Sequence, residues 1–341
     1  MKVAIAGKVW TRQVGGNSRY VHNLVPGLRE EGIDVEILEG AGKGYLAKES
    51  LVWPRSCRAD VLHFPADNGP LVPARVPVVG TIHGMASLHM PAVRSPRSER
   101  IWRWRMQRLA GVADHLVTVS HSSSRDLSGF LGSGHPPISV VPLGVDHERF
   151  HPVAGPGERA DLTDLGVPER YVAYVGNLEP RKNVGSLARA AGEVAARTGV
   201  PLVVAGAPAW DAEEALVAVT DSPSTIYLGR VHENMLAPLL RHADVFCFPS
   251  YYEGFGLPVL EAMACGTPVL CSDRGSLPEV GGDAVAYVAD LSVEGIADRL
   301  VTLLTGDDAA AMRARGIARA AAFTWQATAE HHARVYHEVA A

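Results

Sequence analysis

Phe248-Pro249-Ser250-Tyr251-Tyr252-Glu253-Gly254-Phe255-Gly256-Leu257-Pro258-Val259-Leu260-Glu261-Ala262-Met263-Ala264-Cys265-Gly266-Thr267-Pro268 reads as the end of a strand, a glycine-rich turn and a helix. Pro258 suits the first helical turn, where its missing N–H would have no intrahelical partner, and Gly266 suits the far end, so the helix is about two turns long. This places Glu253 in the loop and Glu261 in the first turns of the helix. The backbone N–H groups of Gly254, Phe255, Gly256 and Leu257 lie at the helix start, where the dipole is equivalent to about half a positive charge and favours phosphate. Carboxylates beside such a cradle accept hydrogen bonds from hydroxyls. A ligand carrying both phosphate and sugar or ribose hydroxyls, a nucleotide sugar, answers both features.

The strand-turn-helix unit recurs along the chain. Apolar runs at 3–6, 35–38, 61–64, 78–83, 116–120 and 139–145 alternate with polar or helical intervals. A second set follows at 171–176, 201–206, 226–229, 245–250, 268–272 and 284–289. Runs such as 171–175 and 202–205 are nearly all apolar, as expected of parallel strands covered by helices on both faces. The rhythm predicts an α/β protein with two doubly wound sheets. The Pro- and Gly-rich stretch 150–159 separates them, which predicts domains at 1–155 and 156–325, followed by a helix at 326–341 able to pack back on the first domain. In such a pair the ligand is expected at the carboxyl ends of the strands, in the cleft between domains.

A chain of 341 residues has the length of two domains. It is 47% hydrophobic and 20% charged, as in a folded globular protein. A net charge of −5 gives no electrostatic case for nucleic-acid binding. The four cysteines, Cys57, Cys247, Cys265 and Cys271, lack metal-ligand spacing and read as buried free thiols of a reducing compartment. The N-terminus reads as a first strand with no signal peptide, and no stretch reaches the ~18 apolar residues of a membrane-spanning helix. The expected location is cytoplasmic. Richness in Ala, Gly and Arg points to a GC-rich bacterial gene.

Glu253 and Glu261, eight residues apart around Gly-Phe-Gly-Leu-Pro, resemble the paired-glutamate motif of the family 4 retaining glycosyltransferases (glycosyl transferases group 1). That family has the GT-B fold, two Rossmann-like domains facing across a cleft. The resemblance implies that Glu253 binds hydroxyls of the transferred sugar near the reacting centre and that Glu261 binds the ribose diol. It covers nearly the whole chain in order. In Gly176-Asn177-Leu178-Glu179-Pro180-Arg181-Lys182 it makes Lys182 the stronger diphosphate ligand and Arg181 the weaker, with Asn177 standing where relatives often have arginine. Gly15-Gly16 resembles the N-domain loop that approaches the diphosphate and acceptor, although on its own such a pair is equally an ordinary turn. His83, followed by Gly84 where the family usually has aspartate, is implied as a contact to the transferred sugar. The backbone around Val231 is implied as a nucleobase contact.

The implied activity is metal-independent, retaining transfer of a hexose-type sugar from a nucleoside diphosphate sugar to a hydroxyl of a glycan, glycolipid or natural product, with no cofactor. An Asp-x-Asp pair for a metal-bound diphosphate is absent. Two other readings stay open: a sugar phosphorylase of the same architecture, and a catalytically silent nucleotide-sugar binder. Residues 95–112 form a basic helix with Arg97, Arg100, Arg103, Arg105 and Arg108. Trp102, Met106 and Leu109 fall on a core-like face, and Ile101 and Trp104 lie away from it. The outward face is either a solvated arginine surface or a contact to anionic lipid at the inner membrane face.

Overall fold

Strands form where the apolar runs were read, because a strand covered on both faces needs an apolar side chain at nearly every position. The computed structural model describes all residues except 13–14, 40–43, 67–68 and 91–94. Six parallel strands, β1 (Lys2–Ala6), β2 (Asp34–Leu38), β3 (Val61–Phe64), β4 (Val78–Ile82), β5 (His115–Thr118) and β6 (Ile138–Val140), pair in the order β2-β1-β3-β4-β5-β6. A second parallel sheet has β7 (Val172–Val175), β8 (Leu202–Ala205), β9 (Thr225–Gly229), β10 (Val245–Phe248), β11 (Val269–Ser272) and β12 (Ala286–Val288) in the order β12-β11-β10-β7-β8-β9. β3, β4, β5, β7, β8, β10 and β11 are buried at every residue. The 139–145 run yields only the short β6. Pro142 lacks an N–H for the ladder, and Gly144 meets the chain so closely that an added Cβ would lie 2.2 Å from the Trp325 nitrogen.

The chain divides into two compact units, Met1–Gly144 with Phe323–Ala341, and Val145–Ala322. The division falls ahead of position 155 because the connector is tied into the second unit. Arg241 donates to the His151 carbonyl at 2.7 Å and pairs with Glu158, and Phe150 is buried. Residues 323–341 join the first unit. There the helix Trp325–Ala340, capped by Thr324 Oγ1 accepting from the Ala327 N–H at 3.1 Å, packs against the helix Gly16–Glu30.

Under that helix runs a buried polar chain. Tyr336 Oη lies 2.8 Å from His63 Nδ1, and His63 Nε2 lies 2.8 Å from Thr81 Oγ1. Thr81 is 3.1 Å from Tyr20 Oη, which is 2.7 Å from His332 Nε2. Burial holds the His63 imidazole well below its ordinary range and brings His332 down to about 4. Both are neutral in the folded protein at pH 7, but free to take up a proton once unfolded, near 6.5. Their contribution to stability is therefore complete above pH 6.5 and falls away as the pH drops. For His332 alone the loss by pH 5 is about 2 kcal/mol, and His63 adds in the same direction. Urea unfolding at pH 7.5 and 5.0 checks this: the wild type should lose stability by at least that amount, and His332→Gln should show a correspondingly smaller loss.

Candidate active site

In the second sheet the chain builds β7, β8 and β9 outward in one direction, then returns to lay β10, β11 and β12 on the other side of β7. The switch point lies between β7 and β10, the position at which open α/β sheets hold their ligands. The loop after β7 carries Arg181 and Lys182, and the loop after β10 carries Glu253. Topology thus brings together residues more than seventy positions apart.

Glu253 is not a solvated loop residue: it is 8% exposed. Its Oε1 accepts from Ser250 Oγ at 3.0 Å, and its Oε2 pairs with Arg181 Nη1 at 2.8 Å. Arg181 Nη1 also donates to the Tyr252 carbonyl at 2.6 Å, and Nη2 pairs with Glu179. Glu179 is itself held by the Trp210 indole N–H at 2.9 Å. Burial pushes the Glu253 carboxyl up, but Arg181, Lys182 and the bonds from Arg181 and Ser250 outweigh it and hold the group below its usual range. At neutral pH it is a carboxylate, an acceptor only. Arg181 therefore fixes Glu253, and its guanidinium is held by acceptors of the protein itself.

Lys182 closes the short 3₁₀ turn Pro180–Lys182, with its Nζ 5.0 Å from the centre of the Phe248 ring. Asn183 follows in the left-handed region at φ 55° and starts the helix Val184–Thr198, its side chain donating to the Leu291 carbonyl at 3.0 Å. The Tyr251 N–H donates to the Arg181 carbonyl at 2.8 Å, a second tie between the two loops.

The helix expected after Glu253 is Leu257–Ala264, and no side chain caps it. Gly256 sits at φ 106°, and a Cβ there would approach Leu277 Cδ2 to 2.6 Å, so conformation and space both require glycine. Ser276 Oγ donates to the Glu253 carbonyl at 2.9 Å and to the Phe255 carbonyl at 2.7 Å, pinning the turn from beneath. Glu261 is 4% exposed in the second helical turn. Val231 follows β9, the far edge strand, three strand spacings or about 14 Å from β10. An extended ligand can span that distance.

His83, Gly15 and Gly16 belong to the first unit. Its own switch point lies between β1 and β3. Gly15, at φ 92°, starts the helix Gly16–Glu30 without a side-chain cap. The His83 Nε2–H donates to the Pro65 carbonyl at 2.9 Å, and the His83 ring meets Tyr20 in a T-shaped contact at 4.7 Å. Sequence reading missed Ser250, Ser276 and Glu179 as supports. Ser250 and Glu179 lie inside the motifs that were read, whereas Ser276 had no signal, because its partners come from a different loop.

Among the described residues no cluster of three or more His, Cys, Asp or Glu side chains is placed to hold a metal ion, and no helix is long and apolar enough to cross a membrane. All four cysteines are free.

Residues 14–149 match the model of Glycosyltransferase Family 4, and residues 169–306 that of Glycosyl transferases group 1. The chain is 32% identical over 277 residues to a D-inositol 3-phosphate glycosyltransferase of Mycobacterium bovis, covering 75% of this chain and 55% of the relative. It is 39% identical over 162 residues to the O-antigen chain mannosyltransferase B of Escherichia coli, covering 46% and 42%. The chain thus spans about half the length of the curated relatives it matches. In structure it resembles a sucrose-phosphate synthase from Thermosynechococcus elongatus, with TM-score 0.75, 19% identity and coverage of 99% and 98%. It also resembles an Anabaena protein solved with UDP and glucose, with TM-score 0.75, 18% identity and 98% of both chains. These likenesses show the GT-B fold.

Removing one partner of a buried ion pair strands the other charge. Arg181→Met should therefore lower unfolding stability by about 3–5 kcal/mol. Lys182→Met, whose ammonium lies 5.0 Å from the Phe248 ring centre and does not pair directly with Glu253, should cost less than Arg181→Met. Urea titration of the two variants beside the wild type reads the difference.

Proposed function

The chain belongs to the family 4 glycosyltransferases, the glycosyl transferases group 1, and on that premise we propose that it moves a hexose-type sugar from a nucleoside diphosphate sugar to a hydroxyl acceptor with retention of anomeric configuration. The observation that carries the reading is the buried Glu253 carboxylate, clamped by Arg181 at the switch point beside Lys182. Glu253 accepts from hydroxyls of the transferred sugar, and Glu261 accepts from the ribose diol. Lys182 and the amides at the start of the Leu257–Ala264 helix stabilise charge on the diphosphate as it leaves. Arg181 acts through Glu253.

In the proposed step the bond from the anomeric carbon to the diphosphate oxygen breaks while the acceptor oxygen forms its bond on the same face. The acceptor proton passes to the departing phosphate. The cation and helix amides neutralise the developing charge, and the proposed step uses no metal. The base is assigned toward Val231, and the family resemblance assigns His83 and the Gly15–Gly16 turn of the first unit to the sugar and the acceptor. Relatives named for an O-antigen chain and for inositol 3-phosphate support an acceptor that is a glycan, a glycolipid or another polyol.

A membrane-borne acceptor fits one exposed face of the first unit. On the helix Pro96–Ala110, Trp102, Met106 and Leu109 are buried, whereas Ile101 and Trp104 are each 50% exposed among the arginines. Such a face suits the boundary of an anionic bilayer. Co-sedimentation with anionic vesicles at low salt should pellet the wild type and not Ile101→Ser/Trp104→Ser; a wild type left in the supernatant removes the membrane contact.

A panel of nucleoside diphosphates and their sugars tests the donor site by thermal stabilisation, since a ligand of the folded state raises apparent stability. One nucleotide should raise Tm for the wild type, and Glu261→Ala should lose that shift. With the matching sugar nucleotide, Lys182→Ala should lower kcat about 100-fold, as for loss of one donor to a developing negative charge. Absence of any shift across the panel would overturn the donor assignment.

A further inference from the structure

The buried chain in the first unit has a forced proton order. The Thr328 carbonyl only accepts, so His332 carries its proton on Nδ1, 2.8 Å away. Neutral His332 then accepts at Nε2, and Tyr20 Oη donates to it at 2.7 Å. Having given its one proton, Tyr20 receives from Thr81 Oγ1 at 3.1 Å. Thr81 in turn receives from His63 Nε2 at 2.8 Å, which leaves His63 Nδ1 to accept from Tyr336 Oη at 2.8 Å. Each hydroxyl and ring nitrogen has one role, and reversing any link would place two donors or two acceptors face to face. All five side chains, Tyr20, His63, Thr81, His332 and Tyr336, are buried. A polar chain satisfied in only one way in a low-dielectric interior fixes its members in place.

Tyr20 is the member that faces outward from this chain. It lies in the second turn of the helix Gly16–Glu30, whose start is the Gly15–Gly16 turn. Its ring meets the His83 imidazole with centroids 4.7 Å apart and planes at 76°. His83 follows directly on β4, and the same strand supplies Thr81 to the chain. The Pro65 carbonyl only accepts, so the His83 Nε2 that lies 2.9 Å from it carries a proton. The Pro65 contact places a proton on Nε2, and the Tyr20 ring abuts the imidazole edge to face.

We propose that Tyr20 and His332 are positioning residues for His83: the proton-ordered chain anchored in the C-terminal helix fixes the Tyr20 ring, and that ring fixes the plane of the His83 imidazole. The last helix of the chain thereby controls a group at the end of β4, near the opposite end of the sequence from itself. The catalytic consequence rests on the proposed role of His83 as a sugar contact; the positional one does not.

Side-chain ¹⁵N spectra of histidine-labelled protein read the His83 tautomer without any ligand. The wild type should show one neutral form, protonated on Nε2. In Tyr20→Leu and His332→Leu the His83 signals should move toward an average of the two tautomers. His332→Gln, which keeps an acceptor at the Nε2 position, should restore the wild-type pattern. With the nucleotide sugar that stabilises the wild type, kcat of the two leucine variants should fall about 10- to 100-fold with KM within about twofold, the loss expected of a misoriented group. Circular dichroism shows whether each variant is folded. Tyr20→Phe, which keeps the ring and removes only the hydroxyl, replaces any leucine variant that is not. Identical His83 spectra in the wild type and the folded variants overturn the proposal, whatever happens to turnover. A shifted His83 spectrum in a protein that turns over no nucleotide sugar upholds the positioning and removes the donor reading instead.

Discussion

The Arg181–Glu253 pair is the interaction on which the second unit's site depends. A carboxylate at 8% exposure cannot stay ionised without a partner, and the part-buried guanidinium opposite it needs acceptors for its protons. Arg181 finds three, in Glu253, Glu179 and the Tyr252 carbonyl, and so closes the loop after β7 onto the loop after β10. With those loops joined, the direction of the Glu253 side chain, the path of Gly254–Gly256 and the start of the next helix are no longer independent. Ser250 and Ser276 complete the arrangement by holding the side chain and the backbone of the same residue.

In this arrangement the charges have divided tasks. Arg181 is held by Glu253, Glu179 and the Tyr252 carbonyl, and Lys182 lies with its Nζ over the Phe248 ring in a turn whose next residue is left-handed. Two adjacent cations are set apart by which one lies opposite the carboxylate. In the proposed reaction the ammonium meets the leaving phosphate and the guanidinium acts only through the carboxylate. The glycine at 256 serves the same end, since a side chain there would displace Leu277 and with it the turn that presents the helix amides.

The first unit solves a comparable problem with neutral groups. Its two buried imidazoles stay uncharged because burial penalises the charged form, and neutrality fixes the direction of every hydrogen bond between the Tyr336 hydroxyl and the Thr328 carbonyl. The chain joins β3, β4, the helix Gly16–Glu30 and the helix Trp325–Ala340, so the C-terminal segment is a structural part of the N-terminal sheet. A ladder of this kind resists change as a whole, because altering one proton changes the role of its neighbours.

The sequence by itself determined the two parallel sheets, since strands covered on both faces must be apolar throughout, and the runs at 171–176 and 245–250 could be little else. It also determined the strand-turn-helix around Glu253, because Gly256, Pro258 and Gly266 each mark a local backbone requirement. These are short-range constraints, written within a few residues of where they act. It did not place the division between units at Gly144, which depends on Arg241 capturing His151 and Glu158 from far along the chain. Only the tertiary structure decided that Arg181 belongs to Glu253 and that Ser276 supports the turn. It alone decided that His332 shares a hydrogen-bond chain with Tyr20, 312 positions away. Each of these pairings is set by strand order and by which side chains are buried opposite one another, and neither quantity has a local signature.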